Sequence, residues 1–103
     1  MTIRIECDLE AFEKKKVWID FRDDRWPFKD RRQVTSLADD ESLLVVASYI
    51  EDWSMVDVDG KAVPFDSEKG LDNFLMLDDR EMIPWVFSAW FQARRTRVEV
   101  SKN

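Results

Sequence analysis

Histidine is absent from this chain, and cysteine occurs only once, as Cys7. Without an imidazole there is no Ser-His or Cys-His pair for nucleophilic catalysis, and one thiol leaves no ligand set for a zinc site. A single cysteine also cannot form an internal disulfide, which fits a protein of the cytoplasm. The chain therefore lacks the side chains on which many active sites and zinc sites depend.

Glycine and proline are also scarce, with two and three residues respectively in a chain of 103. The glycines, Gly60 and Gly70, do not open a strand-to-helix turn, so no phosphate-binding loop is expected. This composition, with 45% apolar residues, is typical of one compact domain. We expect a single domain over residues 1–103, with a strand region at 1–34 and a helical region containing a hairpin at 35–103.

No hydrophobic run is long enough to cross a bilayer, since the longest extends only from Leu43 to Ala47. The charged Arg4 also interrupts the N-terminus where a signal peptide would be apolar. Between Thr35 and Gln92, thirteen acidic residues accompany only three basic ones. We therefore expect no membrane partner, and the acidic middle of the chain disfavours nucleic acid as a partner.

Two segments near the N-terminus have the period-two pattern of half-buried strands. Ile3 and Ile5 alternate with polar residues, and Val17, Ile19 and Phe21 form a second alternating series. We predict that the two strands form a pair, joined by a short helical turn within residues 8–16. The pattern leaves the strand order open.

Charged residues from Arg22 to Arg32 surround a Trp26-Pro27-Phe28 sequence, which predicts a surface loop. Pro27 forces the preceding Trp26 toward an extended backbone and disfavours a helix through this point. Two interpretations of Trp26 and Phe28 remain open. Their rings pack inward onto the core, or they form an edge that binds a partner.

Three helices are predicted in the second part of the chain. Ser36 and Asp39 resemble a capping box before the first helix, which would end near Trp53, although a strand around Val45 is a competing interpretation. A cap at Asp66 or Ser67 would start the second. The apolar stripes of these two helices are Leu43, Val46, Ala47 and Ile50 in the first and Leu71, Phe74, Leu75 and Leu77 in the second.

The last helix should begin near Met82, after Asp78 or Asp79, because Pro84 is tolerated only in a first turn, and it should end around Arg97. A helical wheel separates its buried face from Trp85, which falls on the opposite side with Ser88 and Gln92. Either another element covers Trp85, or Trp85 belongs to a partner surface. The residues of the buried face are Ile83, Val86, Phe87, Trp90 and Ala93.

Asp59-Gly60 lies between apolar residues and predicts a small hairpin with a type I′ turn between the first and second helices. The same acidic residues do not make a calcium loop, because Met55 occupies a position that needs an oxygen ligand. Other carboxylates stand in helix-capping or turn positions, where nothing marks them for acid or base chemistry. The sequence therefore predicts no catalytic, cofactor-binding or metal-binding residue.

Basic residues cluster at the C-terminus, where cations at a helix end are favourable. Those residues are Arg94, Arg95, Arg97 and Lys102. Between Arg22 and Arg32, basic and aromatic residues alternate with acidic ones such as Asp23, Asp24 and Asp30. That mixture argues against a track for phosphate groups.

The stretch from Ile50 to Phe65, IEDWSMVDVDGKAVPF, joins a tryptophan, an acidic hairpin with the pattern D-x-D-G-K and a V-P-F exit. Asp66-Ser67-Glu68 and a further helix follow directly. This order of features resembles the tail assembly chaperones of long-tailed, siphovirus-like bacteriophages. The resemblance extends from Leu43 to Arg95 and is faint before Val34.

The resemblance implies a non-catalytic protein of the host cell cytoplasm that coats the apolar tape measure protein and recruits tail tube protein around it. It also implies that the chaperone forms oligomers and that frameshifting makes a longer form. The alternatives are a general protein-protein interaction adaptor and, as a third class, a weak nucleic-acid-binding domain. The candidate partner-binding residues are Trp26, Phe28, Trp53, Phe65 and Trp85.

Overall fold

An α+β fold is seen across residues 2–10, 15–23, 26–34 and 39–101, which the computed structural model describes. It combines an antiparallel sheet with three α-helices and a 3₁₀-helix within these ranges. In chain order the elements are β1 (Thr2–Leu9), β2 (Lys15–Arg22), α1 (Phe28–Gln33), α2 (Asp40–Tyr49), β3 (Ile50–Trp53), the 3₁₀-helix (Gly70–Phe74) and α3 (Met82–Ser101).

The sheet has the order β1-β2-β3, with both neighbours antiparallel to the central β2. The two predicted strands are confirmed, and Ile5 lies opposite Ile19 in their register. The predicted helical turn between them falls largely on residues 11–14, outside the described part of the chain. Val17, Ile19 and Phe21 are fully buried on one face, so the alternating pattern identified the core face of the sheet.

The third strand was not predicted, and it corrects the expected end of the first long helix. We expected Trp53 at the end of that helix, but α2 stops at Tyr49 and Trp53 lies in β3 opposite Ile19. Trp18 and Ser54 continue the pairing, since the Ser54 amide donates to the Trp18 carbonyl at 2.9 Å. The chain leaves the helix because pairing with β2 buries both Ile50 and Trp53.

Asp39 caps α2 by accepting a hydrogen bond from the Ser42 amide at 2.8 Å. The predicted helix around Val45 is confirmed, and the competing strand is not observed. Ser36 of the expected capping box lies outside the described residues.

The predicted loop between Arg22 and Arg32 is wrong for its second half, because Phe28–Gln33 forms α1. Pro27 is the extended residue immediately before this helix (φ −64°, ψ 147°), and the Asp30 amide donates to the Pro27 carbonyl. A proline disfavours helix on its N-terminal side, but its fixed φ suits the start of a helix after it. Asp24 and Arg25 lie outside the described residues.

The hairpin is present, but its turn is not the predicted two-residue type I′ turn. The Gly60 amide donates to the Asp57 carbonyl, so Val58 and Asp59 are the central residues, and Gly60 follows with a φ of 83°. Asp57 and Lys61 then close a three-residue loop, in which a glycine in the left-handed region is favourable.

The Asp57 carboxylate accepts hydrogen bonds from the Lys61 and Asp59 amides at 2.9 and 2.8 Å. The bond from Lys61 is the main cause that holds the pKa of Asp57 below its usual range. A carboxyl group whose pKa is lower in the folded than in the unfolded state stabilises the fold above the unfolded pKa. It loses that contribution as pH falls through the folded pKa.

We expect Asp57→Asn to lower the melting temperature at pH 7 and to approach wild-type behaviour as pH falls below about 4. Thermal denaturation of both proteins at pH 7 and pH 3 measures this difference. Asp59→Asn removes the same formal charge from the same turn and leaves the charged acceptor of those two bonds in place. An equal loss for Asp59→Asn at pH 7 would mean that turn charge, and not these hydrogen bonds, stabilises the hairpin.

The second predicted long helix is instead a 3₁₀-helix of five residues. Gly70 begins it with a φ of 51°, which a residue with a side chain rarely adopts. The predicted cap Asp66 accepts a bond from the Glu68 amide at 2.9 Å, and so stabilises the turn before the helix. Phe74 is buried as predicted, but Leu75 is 73% exposed because the helix ends at Phe74.

The predicted start of α3 at Met82 is confirmed, and Pro84 lies in its first turn. Asp78 accepts a bond from the Glu81 amide at 2.8 Å just before the helix. The helix continues past Arg97 to Ser101. The whole predicted face is buried, namely Ile83, Val86, Phe87, Trp90 and Ala93. This face of α3 packs mainly on β1 and β2.

None of the helices in the described part of the chain is long and apolar enough to span a bilayer.

Candidate protein-binding site

The described residues offer little for catalysis or metal binding. No cluster of three or more histidine, cysteine, aspartate or glutamate side chains suited to a metal ion occurs among them. Burial, with a further contribution from Asp8, raises the pKa of the Cys7 thiol. The thiol is therefore mostly protonated at neutral pH and is a poor nucleophile.

The structure separates Trp26 from Phe28. Trp26 packs inward, with its ring stacked on Tyr49 at 4.2 Å between centroids and tilted against Trp90 at 4.8 Å. The Tyr49 hydroxyl donates to the Asp30 carboxylate at 2.7 Å and thereby ties α2 to α1. Phe28 instead points to solvent and is 72% exposed. The inward interpretation therefore holds for Trp26, and of these two rings Phe28 alone is exposed.

Trp53 and Phe65 contact one another, but they do not form an open surface. Their rings meet edge to face at 5.1 Å, and Trp53 makes a similar contact with Phe74 at 5.6 Å. The Trp53 indole donates to the Val63 carbonyl at 2.6 Å, and its side chain is buried. Trp53 therefore joins the hairpin exit to the core, and Phe65 is the half-buried outer ring of the pair.

Trp85 is neither fully covered by another element nor fully exposed as a partner surface. It is half-buried and packs against the core, although the wheel places it opposite the main buried face of α3. Part of the ring remains accessible to solvent. Trp85 is thus a candidate contact for a partner, but it does not form an exposed patch by itself.

The structure reveals a groove that sequence reasoning did not predict, between α2, the 3₁₀-helix and the start of α3. Its volume is about 400 Å³. We call it the acidic groove, and its lining residues are Leu43, Leu71, Phe74, Leu75, Leu77 and Ile83 with Asp40, Asp72 and Asp79. Of these residues Leu75 is 73% exposed, and its chain neighbour Met76 is 55% exposed. Large apolar side chains at solvent therefore adjoin an apolar depression.

Side-chain hydrogen bonds fix the position of the 3₁₀-helix that forms one wall. Asn73 is buried, its amide nitrogen donates to the Asp66 and Gly70 carbonyls, and its amide oxygen accepts from the Asp66 amide. Gly70 also allows close approach to α2, because an added Cβ would lie 3.3 Å from the Leu44 Cδ2 atom. The groove is therefore held by specific contacts of the fold.

The carboxylates on the rim of the acidic groove are Asp40, Asp72 and Asp79, and two of them lie near the start of a helix. Asp40 is in the first turn of α2 and Asp79 just precedes α3, positions at which carboxylates interact favourably with the helix dipole. Asp72 lies in the 3₁₀-helix. All three carboxylates are exposed, so the fold places negative charge around apolar side chains.

The outer face of the sheet has its own internal contacts. Arg4 forms two hydrogen bonds with the Asp20 carboxylate, at 2.7 and 2.9 Å, and its guanidinium lies 3.9 Å from the centre of the Trp18 ring. These contacts occupy the largest aromatic side chain of that face. The acidic groove therefore remains the better candidate for an interaction surface.

Comparison with known proteins gives no match to this chain, whether with family models, curated proteins or solved structures.

Proposed function

We propose that the protein is a non-catalytic tail assembly chaperone of a long-tailed bacteriophage. In the host cell cytoplasm it binds the tape measure protein and assists assembly of the tail tube around it. The arrangement of residues from Leu43 to Arg95, described above, supports this proposal. The same segment contains most of α2, the hairpin, the 3₁₀-helix and most of α3, and it includes every lining residue of the acidic groove except Asp40.

The observation that carries the proposal is apolar exposure on an acidic surface. Leu44 in α2 and Leu75 and Met76 after the 3₁₀-helix are all about half exposed or more, and Leu75 lines the acidic groove together with Asp40, Asp72 and Asp79. Contiguous exposed apolar side chains with a polar rim are characteristic of protein interaction sites. The formal net charge of −6 favours solubility while such a surface is free.

The structure changes which of the candidate residues suit contact with a partner. Trp26 and Trp53 hold the core together, so their loss is expected to destabilise the fold. Phe28 is exposed, and Phe65 and Trp85 are both half-buried. Of the five candidates, Phe28, Phe65 and Trp85 are therefore the ones to test for client binding.

The experiment is co-expression with a tape-measure-like protein identified from genomic context, followed by solubility analysis and pull-down. We expect the client to be insoluble alone and to co-purify with the chain when both are expressed. Phe28→Ala should reduce the co-purified amount without changing the melting temperature, because its ring is exposed. An insoluble client with the chain left free would contradict the proposal and favour the alternative of a general adaptor.

A further inference from the structure

The acidic groove combines an apolar floor with carboxylates on its rim, and this pairing specifies the chemistry of a ligand. We infer that the groove binds an amphipathic helix of another protein. Apolar side chains of that helix fill the floor, and its lysine or arginine side chains lie beside Asp40, Asp72 and Asp79. This inference names the site and the ligand class for the client binding proposed above, and in that respect it rests on the proposed function.

The walls of the groove explain why the bound segment is a helix. An extended peptide gains affinity by adding to a sheet edge, through main-chain hydrogen bonds. The groove walls are helices and turns that make backbone hydrogen bonds of their own: the Leu77 amide donates to the Phe74 carbonyl, and the Met82 and Ile83 amides donate to the Asp78 carbonyl. A ligand there must satisfy its own backbone groups, which a helix does.

The exposed side chains beside the floor are suited to such a ligand. Single exposed apolar residues are common on protein surfaces and need no explanation. Leu75, however, lines a depression together with Leu71, Phe74 and Leu77, and its chain neighbour Met76 is exposed as well. Methionine adapts its shape readily, which suits a site that packs against helices with different side chains.

The charge of the rim determines the polar part of the ligand. The N-termini of α2 and α3 each contribute about half a positive charge, which offsets about one of the three negative charges on the rim. A net negative charge therefore remains around the floor, and no lysine or arginine lines the groove among the described residues. Basic residues flanking the apolar stripe of a bound helix complement this charge, whereas acidic ones are repelled.

The test uses three synthetic peptides of about 18 residues, or five helical turns. The first has leucines at i, i+3, i+4 and i+7 with lysines on both flanks, the second replaces lysine by glutamate, and the third scrambles the first. Fluorescence anisotropy with the full chain measures affinity, and circular dichroism measures helix content. We expect the lysine peptide to bind, to gain helicity and to weaken with added salt. The other two should bind about tenfold more weakly or not at all.

Variants of the chain locate the binding site. Leu75→Ser combined with Met76→Ser, and separately Asp72→Lys, should each weaken the lysine peptide about tenfold. These side chains are exposed, so the variants should keep the wild-type melting temperature. The controls are Val58→Ser and Asp59→Lys, which replace an exposed apolar residue by serine and an exposed aspartate by lysine on the hairpin, and they should leave affinity unchanged.

Several results would overturn the inference. They are absence of binding by the lysine peptide, equal affinity for the lysine and glutamate peptides, binding without a gain of helicity, and unchanged affinity in the groove variants. Sedimentation of the chain alone tests whether a second copy of this chain occupies the groove. If wild type forms an oligomer that the Leu75 and Asp72 variants dissociate, the groove holds a second copy of this chain, and the inference is wrong.

The same variants distinguish failure of this inference from failure of the proposed function. If wild type keeps the tape-measure-like protein soluble and the groove variants do so equally well, the chaperone function stands and the groove is not its site. If the lysine peptide binds as described but the tape-measure-like protein is not captured, the groove stands as a helix-binding site and the phage function fails.

Discussion

Replacing Trp90 by alanine is expected to lower the free energy of unfolding by about 3 to 5 kcal/mol. Trp90 is fully buried in the middle of α3, and its ring contacts Trp26, Tyr49 and Phe91 at centroid distances of 4.8, 5.8 and 5.0 Å. Alanine would remove the ring that joins α3, α2 and the segment before α1. Because small domains have a total stability of about 5 to 15 kcal/mol, urea denaturation should show a large shift in midpoint.

Trp85 provides the matched control on the same helix. It is half-buried, so Trp85→Ala removes the same ring at a smaller expected loss of stability. Trp90→Phe is a second comparison, since the Trp90 indole nitrogen is buried and has no hydrogen-bond partner. Phenylalanine keeps much of the ring and removes no hydrogen bond, so Trp90→Phe should lower the free energy of unfolding less than Trp90→Ala does. Equal losses for Trp85→Ala and Trp90→Ala would contradict the assignment of the buried face.

The sequence predicted those elements whose pattern is local and long. In β2 the alternation of Val17, Ile19 and Phe21 specifies which face is buried, whatever the strand pairs with. In α3 the spacing of Ile83, Val86 and Trp90 does the same for a helix. Pro84 fixed the start of that helix because few helical positions tolerate a proline.

The third strand could not be predicted because its signal is not local. Ile50 and Trp53 are three residues apart. This spacing continues the helical stripe that contains Val46, and it also fits a strand with a bulge. Pairing with Phe21 and Ile19 decides between them, and that information lies about thirty residues away in the sequence. Tertiary contacts thus override a helical pattern at the end of α2.

The acidic groove was missed for a related reason. Leu71, Phe74 and Leu75 have the spacing of a buried helical stripe, which predicted that Leu75 would be internal. The chain instead makes a short 3₁₀-helix and turns after Phe74, so Leu75 and Met76 face solvent. A detectable signal was the number of carboxylates around this apolar segment, since Asp72 lies within it and Asp79 follows it closely.

Replacing Trp53 by alanine should also lower the free energy of unfolding by about 3 to 5 kcal/mol, because it removes a different set of buried contacts. Its ring joins β3 to the hairpin exit and to the 3₁₀-helix, through Phe65 and Phe74. Its indole nitrogen donates to the Val63 carbonyl at 2.6 Å. Loss of this side chain therefore loosens the segment that holds one wall of the acidic groove, so Trp53→Ala should weaken helix binding as well as folding.

Replacing Trp53 by phenylalanine separates the contribution of ring packing to stability from that of the indole hydrogen bond. Trp53→Phe keeps most of the packing but leaves the half-buried Val63 carbonyl without its donor, at a cost of about 1 to 3 kcal/mol in urea denaturation. Trp90→Phe makes the same change where the indole nitrogen has no partner. The hydrogen bond of Trp53 should thus appear as a larger loss for Trp53→Phe than for Trp90→Phe. Equal losses would mean that water replaces the indole at Val63 and that Trp53 stabilises the hairpin exit through its ring alone.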